Sequence, residues 1–597
     1  IMPDKVSTTR YNQAPRFFGK GRTKFDLSHP IEVTGNTGEL IVTLCEPVVP
    51  GTTMSLRSAS LTRLETSLHQ TMDNAYVETA YFFVPSRVLW QDFDKYQGYN
   101  RDPWAQTQDF KKPQYYLAYV SDDLSSNPPT GLNDWVLPHS LINDLYSPIT
   151  MVPAIDVYNS SFDLSRDSLH VDLLPLRAVF KIYNDYFRDQ NYDSEIYYDD
   201  GSQNACVYLT FGNTSSIADS YLFNGGYFNP AKDRLHVNRF KDANSTALPQ
   251  PQKGDPISVL LANAQGEHLA PVGFIGAASE SVGAQYATIG AQANQPVVKG
   301  SFAPVYSVSN NFGNNANQPI ITDLSGVNFT VNDLRIAIAL QGMRERDARS
   351  GNRLNEKLYG TWHIQTNNLE LDRAEYLGGK RVPVNMMEVL QTSETGTTVL
   401  GHDAGHSKTV DYDDSFVRTF QQWGYVIGFV WVRTSRSYSQ GIDRKFFVED
   451  ILDEYDPMLD AISEQPKYKF ELNAVYDGGS YTISRMKKAF GFQEAWYQIK
   501  ERTPRFYGMF QPGIQGSLAD WHYGDNYTTE DNQGNVYSVE PMAGPTWLKE
   551  GPENVDRTIA VASDASRASF QWMFNINFDL TSTFEASYHS KPNTFGF

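Results

Sequence analysis

Gly38-Glu-Leu-Ile-Val-Thr-Leu-Cys45 is an extended apolar run, and Pro47-Val-Val-Pro-Gly51 supplies turn chemistry directly after it. A second run follows as Thr53-Met-Ser-Leu-Arg-Ser-Ala-Ser-Leu-Thr62. Beyond the Met72-Asp-Asn74 break, Tyr76-Val-Glu-Thr-Ala-Tyr-Phe-Phe-Val84 is rich in the β-branched and aromatic residues that pack well on a pleated surface. Three strands with tight punctuation begin a β-sandwich or barrel. The stretch up to Trp90 holds no catalytic constellation, so it reads as architecture.

The far end of the chain carries the matching signal. Phe570, Trp572, Phe574, Ile576, Phe578 and Leu580 share one face of a period-two segment, with Gln571, Met573, Asn575, Asn577 and Asp579 on the other. Tyr425-Val-Ile-Gly-Phe-Val-Trp-Val432 is instead almost continuously apolar, as a strand covered on both faces must be, and Gly428 suits a close backbone approach. Strands so far apart in the chain imply long-range pairing, the wiring of a Greek key or jelly roll and not of parallel β-α-β units.

Between these ends the sequence predicts loops and two helices. Ser86 to Ile155 is interrupted by Pro103, Pro113, Pro128, Pro129, Pro138, Pro148 and Pro153, which predicts long ordered loops with short helical pieces. Their many rings, among them Trp90, Phe93, Trp104 and Trp135, must pack on the sheet or on another subunit. Pro175 opens a helix over 175–188, with Leu176, Val179, Phe180, Tyr183 and Phe187 at helical spacing. A second helix starts at the capping-box pair Thr330 and Asp333 and stops at Ser350-Gly351. Its end holds Arg344, Glu345, Arg346, Asp347 and Arg349, whose alternating signs point to salt bridges at a subunit interface in preference to DNA contact. Lys357 to Gly379 continues from it and closes on Gly378-Gly379.

The chain has 597 residues and a formal charge of −19, which excludes a surface coated with lysine and arginine for nucleic acid. Local charge differs. Lys5, Arg10, Arg16, Lys20, Arg22 and Lys24 face only Asp4 among the first 24 residues, with Tyr11, Phe17 and Phe18 interleaved. Such an arm can lie along phosphates while its rings stack on unpaired bases; a solvated arm, or one tied onto a neighbouring subunit, is the plainer reading. Two cysteines, Cys45 and Cys206, are too few for a disulfide scaffold, and neither a signal-peptide pattern nor a long apolar span occurs, so a soluble protein is expected.

Searching for chemistry yields little. His402, Asp403 and His406 in Gly401-His-Asp-Ala-Gly-His406 form the first metal candidate, but a glycine-rich polar loop lacking a further strong ligand is the default reading. The acids near Asp411 and Glu449 lack calcium-loop spacing. Nucleotide-binding glycine loops, zinc-protease and serine-hydrolase motifs are all missing. Neither enzymatic activity, nor a cofactor, nor a metal is expected.

Eight strings occur in order along the chain: Phe25-Asp-Leu-Ser-His-Pro30; Met72-Asp-Asn74 with Tyr81-Phe-Phe-Val-Pro-Ser-Arg-Val-Leu-Trp90; Tyr183-Asn-Asp-Tyr-Phe-Arg-Asp-Gln-Asn191; Leu248-Pro-Gln-Pro-Gln-Lys-Gly254; Glu345-Arg-Asp-Ala-Arg-Ser-Gly351; Glu375-Tyr-Leu-Gly-Gly379; Tyr425-Val-Ile-Gly428; and Tyr438-Ser-Gln-Gly441. Through them the chain resembles the major capsid proteins of the microviruses, small icosahedral single-stranded DNA phages, and most of all the gokushovirus branch. It departs from the pattern at Gln250, where the family commonly has tryptophan, and over 191–247 and 260–318.

The resemblance implies an all-β fold: an eight-stranded viral jelly roll with long inter-strand loops, a few short helices and large surface insertions. It implies a T=1 shell of sixty copies around circular single-stranded DNA. Expected partners are further copies of the chain, the DNA genome, a small basic DNA-binding protein, minor spike or pilot proteins and a host cell-surface receptor. Expected locations are the virion and, during assembly, the host cytoplasm. The chain then divides into an interior arm over 1–37, the first part of the core over 38–190, a protruding insertion over 191–247, a return with a second variable region over 248–330, and closing strands over 331–597. Host attachment is assigned first to 191–247, with 260–318 as its rival. The alternatives are a carbohydrate-binding or carbohydrate-active β-sandwich protein, and a receptor-binding spike outside the shell.

Overall fold

The computed structural model describes residues 21–98, 112–121, 139–146, 169–198, 204–211, 221–223, 226–228, 230, 233–252, 290–292, 295–297, 331–351, 353–366, 372–390, 403–448, 450–476, 481–530, 536–559, 570–586 and 588. The chain forms two compact units, one of Ile1–Pro251 with Ser350–Phe597 and one of Gln252–Arg349.

The first unit is built on strands β1 (Arg22–Asp26), β2 (His29–Gly35), β3 (Glu39–Val48), β4 (Thr53–Leu64), β5 (Ala75–Pro85), β6 (Gln114–Ser121), β7 (Leu169–Asp172), β8 (Asn204–Phe211), β9 (Leu235–His236), β10 (Glu375–Pro383), β11 (Met386–Leu390), β12 (Asp403–Ser407), β13 (Thr409–Thr419), β14 (Gly424–Thr434), β15 (Glu464–Tyr468), β16 (Ala489–Glu494) and β17 (Trp572–Glu585). In one antiparallel sheet β17 lies between β4 and the pair β1 and β2, and β13 follows β4. The other is antiparallel in the order β9, β3, β14, β5, β10. Neighbouring strands in one sheet are thus drawn from opposite ends of the chain, and consecutive strands such as β3 and β4 lie in different sheets. This is a jelly-roll-like β-sandwich.

Burial explains the two kinds of strand seen in the sequence. Between the sheets, Ile41, Met54, Leu56, Tyr81, Phe83, Val426, Val430, Trp572, Phe574, Ile576 and Phe578 form one core. A second core lies on the far face of the second sheet, where Leu40, Phe82, Val84, Ile427 and Phe429 meet Trp90, Leu174, Val179 and Phe180. The second sheet is covered on both faces, so β14 is buried at nearly every position. The first sheet leaves one face open, and β17 alternates accordingly. Gly428 is where the expected close approach occurs: an added Cβ would lie 2.9 Å from Leu44 Cβ and from Tyr81 Cε1.

The covering layer departs in one respect from the expected long ordered loops with short helical pieces. Trp90 and Phe93 do pack on the sheet beside short helices at Ser86–Leu89 and Phe93–Tyr96. Yet β6 runs through the proline-rich segment, pairing antiparallel with β7 and parallel with β8. Prolines there punctuate the strand instead of excluding it. The helix expected over 175–188 is α1 (Leu174–Ile182), with Pro175 in its first turn, continued as a π-helical turn over Tyr183–Phe187. Its added residue per turn lets Tyr186 and Phe187 both reach Phe82.

Two turn assignments also change. The first strand continues through Pro47 to Val48, because Pro47 sits at the end of β3. Gly378-Gly379 is not a stop but lies inside β10, where the register shifts between Tyr376 and Gly378 opposite β5. Residues 435–571, between β14 and β17, carry the antiparallel pair β15–β16, and their Tyr438, Leu472, Phe490 and Tyr527 form a small core with Ala247. In the second unit, Gly290–Gln292 pairs with Gln295–Val297, and α2 (Val331–Ser350) is the predicted second helix. It ends at Gly351, whose φ of +94° is the left-handed geometry of a helix stop. In the first unit α3 (Leu354–Trp362) follows.

Candidate assembly and genome-contact surfaces

The basic arm reaches the fold at β1. Lys5, Arg10, Arg16, Phe17, Phe18 and Lys20 lie outside the described residues, whereas Arg22 and Lys24 are exposed on β1. Pairing of β1 with the end of β17 sets Arg22 opposite Glu585 and Lys24 opposite Thr583. Arg22 donates to Thr53 Oγ1 at 2.9 Å and to the Thr583 carbonyl at 3.2 Å, which ties it to the sheet edge. Phe25 stacks on Phe584 and Tyr588, at 4.9 and 6.1 Å between ring centres, so the root of the arm is anchored by rings. Of the basic residues read from sequence, these two are brought to one edge of the open-faced sheet.

The charged cluster ending α2 separates by position. Asp347 is buried and accepts from Arg346 at 3.3 Å, Gln341 donates to Glu345 at 2.9 Å, Arg344 is half-buried, and Arg349 is exposed. The apolar positions of this helix behave differently from a core face. Leu334, Ile336, Ile338, Leu340 and Met343 are all exposed. They fall on two opposite sides of the helix, Leu334 with Ile338 and Ile336 with Leu340 and Met343, so the helix has no single apolar face.

Sequence reading missed the buried ionic networks of the main unit, because each joins residues remote in the chain. Glu78, buried on β5, accepts from Arg381 Nε at 2.5 Å, Trp431 Nε1 at 2.6 Å and Arg433 Nε at 2.6 Å. Arg381 and Arg433 both lie over the Phe240 ring. Arg234 joins Glu39 at 2.8 Å and Asp144 at 2.6 Å. Burial alone would raise Glu39, but the hydrogen bond from His139 and the Arg234 charge bring its carboxyl down to about 2. Asp144 shares that single guanidinium, and burial pushes it up to about 6. Asp525 meets Arg436 at 2.7 Å and Arg239 at 3.1 Å; burial raises its carboxyl, and the two guanidinium charges outweigh this to hold it at about 2. Charges paired with one another in this way read as scaffold and not as a reaction centre.

Reaction chemistry is not assembled elsewhere among the described residues. Asp403 and His406 fall on β12, paired with Leu390 and Met387, while His402 lies outside the described residues. Among the described residues no group of histidine, cysteine and acidic side chains is gathered that could hold a metal ion. Cys45 is a free thiol pushed up to about 12 by burial, so it is no nucleophile at neutral pH.

A family model described as capsid protein (F protein) matches residues 19–121 and 130–586. The capsid protein VP1 of Spiroplasma virus 4 is 30% identical over 93% of this chain and 92% of that protein. The VP1 capsid proteins of Chlamydia phage 1 and Bdellovibrio phage phiMH2K are 24% and 25% identical, over 93% and 90% of this chain and equal shares of their own lengths. Matches that run from the root of the arm to the end of β17 cover both sheets, the covering layer and the surfaces just described. The chain therefore belongs to the F-protein family of phage capsid proteins, as a gokushovirus-related microvirus major capsid protein with a structural and not an enzymatic role.

Proposed function

We propose that the chain builds a closed T=1 icosahedral shell of sixty copies around a circular single-stranded DNA genome. The strand order carries this reading. The order β2, β17, β4, β13 within one five-stranded sheet and β3, β14, β5, β10 within the other supports reading these as the eight strands of a viral jelly roll. A rigid sandwich of this kind presents long inter-strand segments for subunit contacts, and many modest contacts add up over a closed symmetric shell.

Within that reading the basic arm contacts the genome without sequence preference, because cations that neutralise phosphates carry no base information. An acidic chain of −19 needs a small basic DNA-binding partner to condense DNA. Host attachment, through a cell-surface receptor, is assigned to the separate unit Gln252–Arg349, which contains the variable region 260–318. The alternative over 191–247 is less favoured because Leu235, Val237 and Ala247 belong to cores of the main unit. Minor spike or pilot proteins complete the particle, which assembles in the host cytoplasm.

Negative-stain imaging of purified chain with its assembly partners, combined with nuclease protection, tests the reading. Uniform closed shells enclosing nuclease-resistant DNA are expected. A chain that stays monomeric or forms small rings with every partner supplied would overturn it.

A further inference from the structure

Asn238 and Lys549 stand directly opposite one another in an isolated antiparallel bridge, between the segment after β9 and the segment after the helical turn Pro545–Leu548. Backbone bonds flank the pair without joining it: the Arg239 amide donates to the Leu548 carbonyl and the Glu550 amide to the Val237 carbonyl, both at 2.9 Å. Opposed residues of this kind carry their side chains on one face, at the closest separation an antiparallel pair allows. Val237 and Leu548, one position before each, are buried.

The Lys549 amine meets three oxygens. It donates to Asn238 Oδ1 at 2.9 Å, to Asp193 Oδ2 at 2.6 Å and to the Tyr183 hydroxyl at 2.5 Å, with the Tyr183 ring centre 5.1 Å away. The Asp193 carboxyl is fully buried, and the Lys549 side chain is 14% exposed. The Asn238 amide nitrogen donates to the Phe187 carbonyl at 2.9 Å, which turns the carboxamide oxygen towards the amine. Three segments remote in the chain thus bring together an amine, a carboxamide and a carboxyl.

Those three groups are the reagents for an amide bond between side chains, and three conditions favour the reaction here. The amine must be neutral to act as a nucleophile, and burial holds Lys549 below its ordinary range against the opposing pull of Asp193. Separated charges must be disfavoured so that a proton can pass from ammonium to carboxylate, and exclusion of water from Asp193 does this. The amine must also be held at the carboxamide. Backbone bonds on both sides of the pair hold it there, so the reaction is between fixed neighbours.

We propose that Lys549 and Asn238 become joined by a side-chain amide bond, with Asp193 as the proton carrier. Asp193 takes one proton from the Lys549 ammonium, and the neutral nitrogen attacks Asn238 Cγ to form the new C–N bond. Asp193 then hands its proton to the amide nitrogen and removes a second from Lys549, and the Cγ–Nδ2 bond breaks to release ammonia. The products are a neutral secondary amide, a protonated Asp193 and one ammonia, so charge is conserved and no external reagent is used. The step occurs once per chain, without turnover, and leaves the structural role unchanged. It ties residues 311 positions apart and closes a loop holding the second unit and β10 to β16. Such a closure limits the freedom of the unfolded chain.

Intact-mass spectrometry of the denatured full chain, followed by tandem spectrometry of its tryptic digest, tests the bond. The expected mass is one ammonia below that of the sequence, with one branched peptide carrying both Asn238 and Lys549 and no cleavage after Lys549. Lys549→Arg, Asn238→Ala and Asp193→Asn should each show the full mass of their own sequence, with thermal unfolding to establish that each variant folds. The unsubstituted chain is decisive whether or not a variant folds. Full sequence mass in a chain that unfolds cooperatively would leave Lys549 an ordinary buried ammonium and overturn the proposal. Loss of ammonia with Asn238 and Lys549 in separate peptides, the signature of a cyclic imide at the asparagine, would overturn it equally. An Asp193→Asn chain that still cross-links would overturn the carrier role of Asp193.

Discussion

Trp572 donates its indole N–H to Oγ1 of Thr37 at 2.8 Å, which joins the start of the last strand to the turn before β3. The Thr37 hydroxyl in turn donates to Gln571 Oε1 at 2.6 Å, and the Thr37 amide donates to the same oxygen at 2.8 Å. All three residues are buried, so this clip closes the sandwich between segments at opposite ends of the chain.

Replacing Thr37 by Val keeps the shape and leaves the Trp572 indole and part of the Gln571 amide without a partner. A loss of about 1–3 kcal/mol is expected, read as a lower urea midpoint with an unchanged slope.

Gly38, the next residue, has a φ of +86°, and an added Cβ would lie 2.1 Å from the Glu550 carbonyl oxygen. Backbone on both sides leaves nothing to move aside. Gly38→Ala is expected to cost more than about 2 kcal/mol and to reduce the yield of soluble folded chain, measured by thermal unfolding.

Acid should weaken the fold through Glu39 and Asp525. Both carboxyls lie at about 2 in the folded chain, against ordinary values of 4.5 and 3.8. The unfolded chain therefore binds protons first as pH falls, and the stabilisation present above about 4.5 is lost progressively towards 2. Asp144, raised to about 6, acts in the opposite sense and loses stability as pH rises from 3.8 through 6. Denaturant midpoints across pH 2–7 should fall steeply below 4, and the fall should shrink in Asp525→Asn, a variant expected to be less stable at neutral pH because Arg239 and Arg436 lose their shared anion.

Ile338 is 63% exposed on α2, so Ile338→Lys should leave the thermal midpoint of the isolated chain nearly unchanged. If the side of that helix bearing Leu334 and Ile338 meets a neighbouring copy, the same variant should cut shell yield several-fold, measured by sedimentation. Normal yield would show that this side of the helix faces no other copy.

Removing residues 1–20 takes away Lys5, Arg10, Arg16 and Lys20 and leaves Arg22 and Lys24 on β1. Assembled shells should then hold less DNA, released at lower salt. Unchanged DNA content would place the genome contact elsewhere.

Much of the sandwich was legible in the chain itself. Period two from Trp572 to Leu580 assigns a strand with one buried face, and the unbroken apolar run at Tyr425–Val432 assigns one covered on both, because side-chain direction alternates whatever the partner is. The strand β6 escaped notice because its partners, β7 and β8, lie far along the chain and its flanking prolines dominate the local signal. The basic arm was visible as composition, as was the charged end of α2.

The sequence by itself determined the all-β class, the family and the main strands, since these depend on short-range periodicity and on strings of residues kept in order. Only the tertiary structure decided which strands pair and which charges meet. Arg234 finds Glu39 and Asp144, and Arg436 finds Asp525, because distances between remote side chains are set by packing of the whole fold and leave no trace in local sequence.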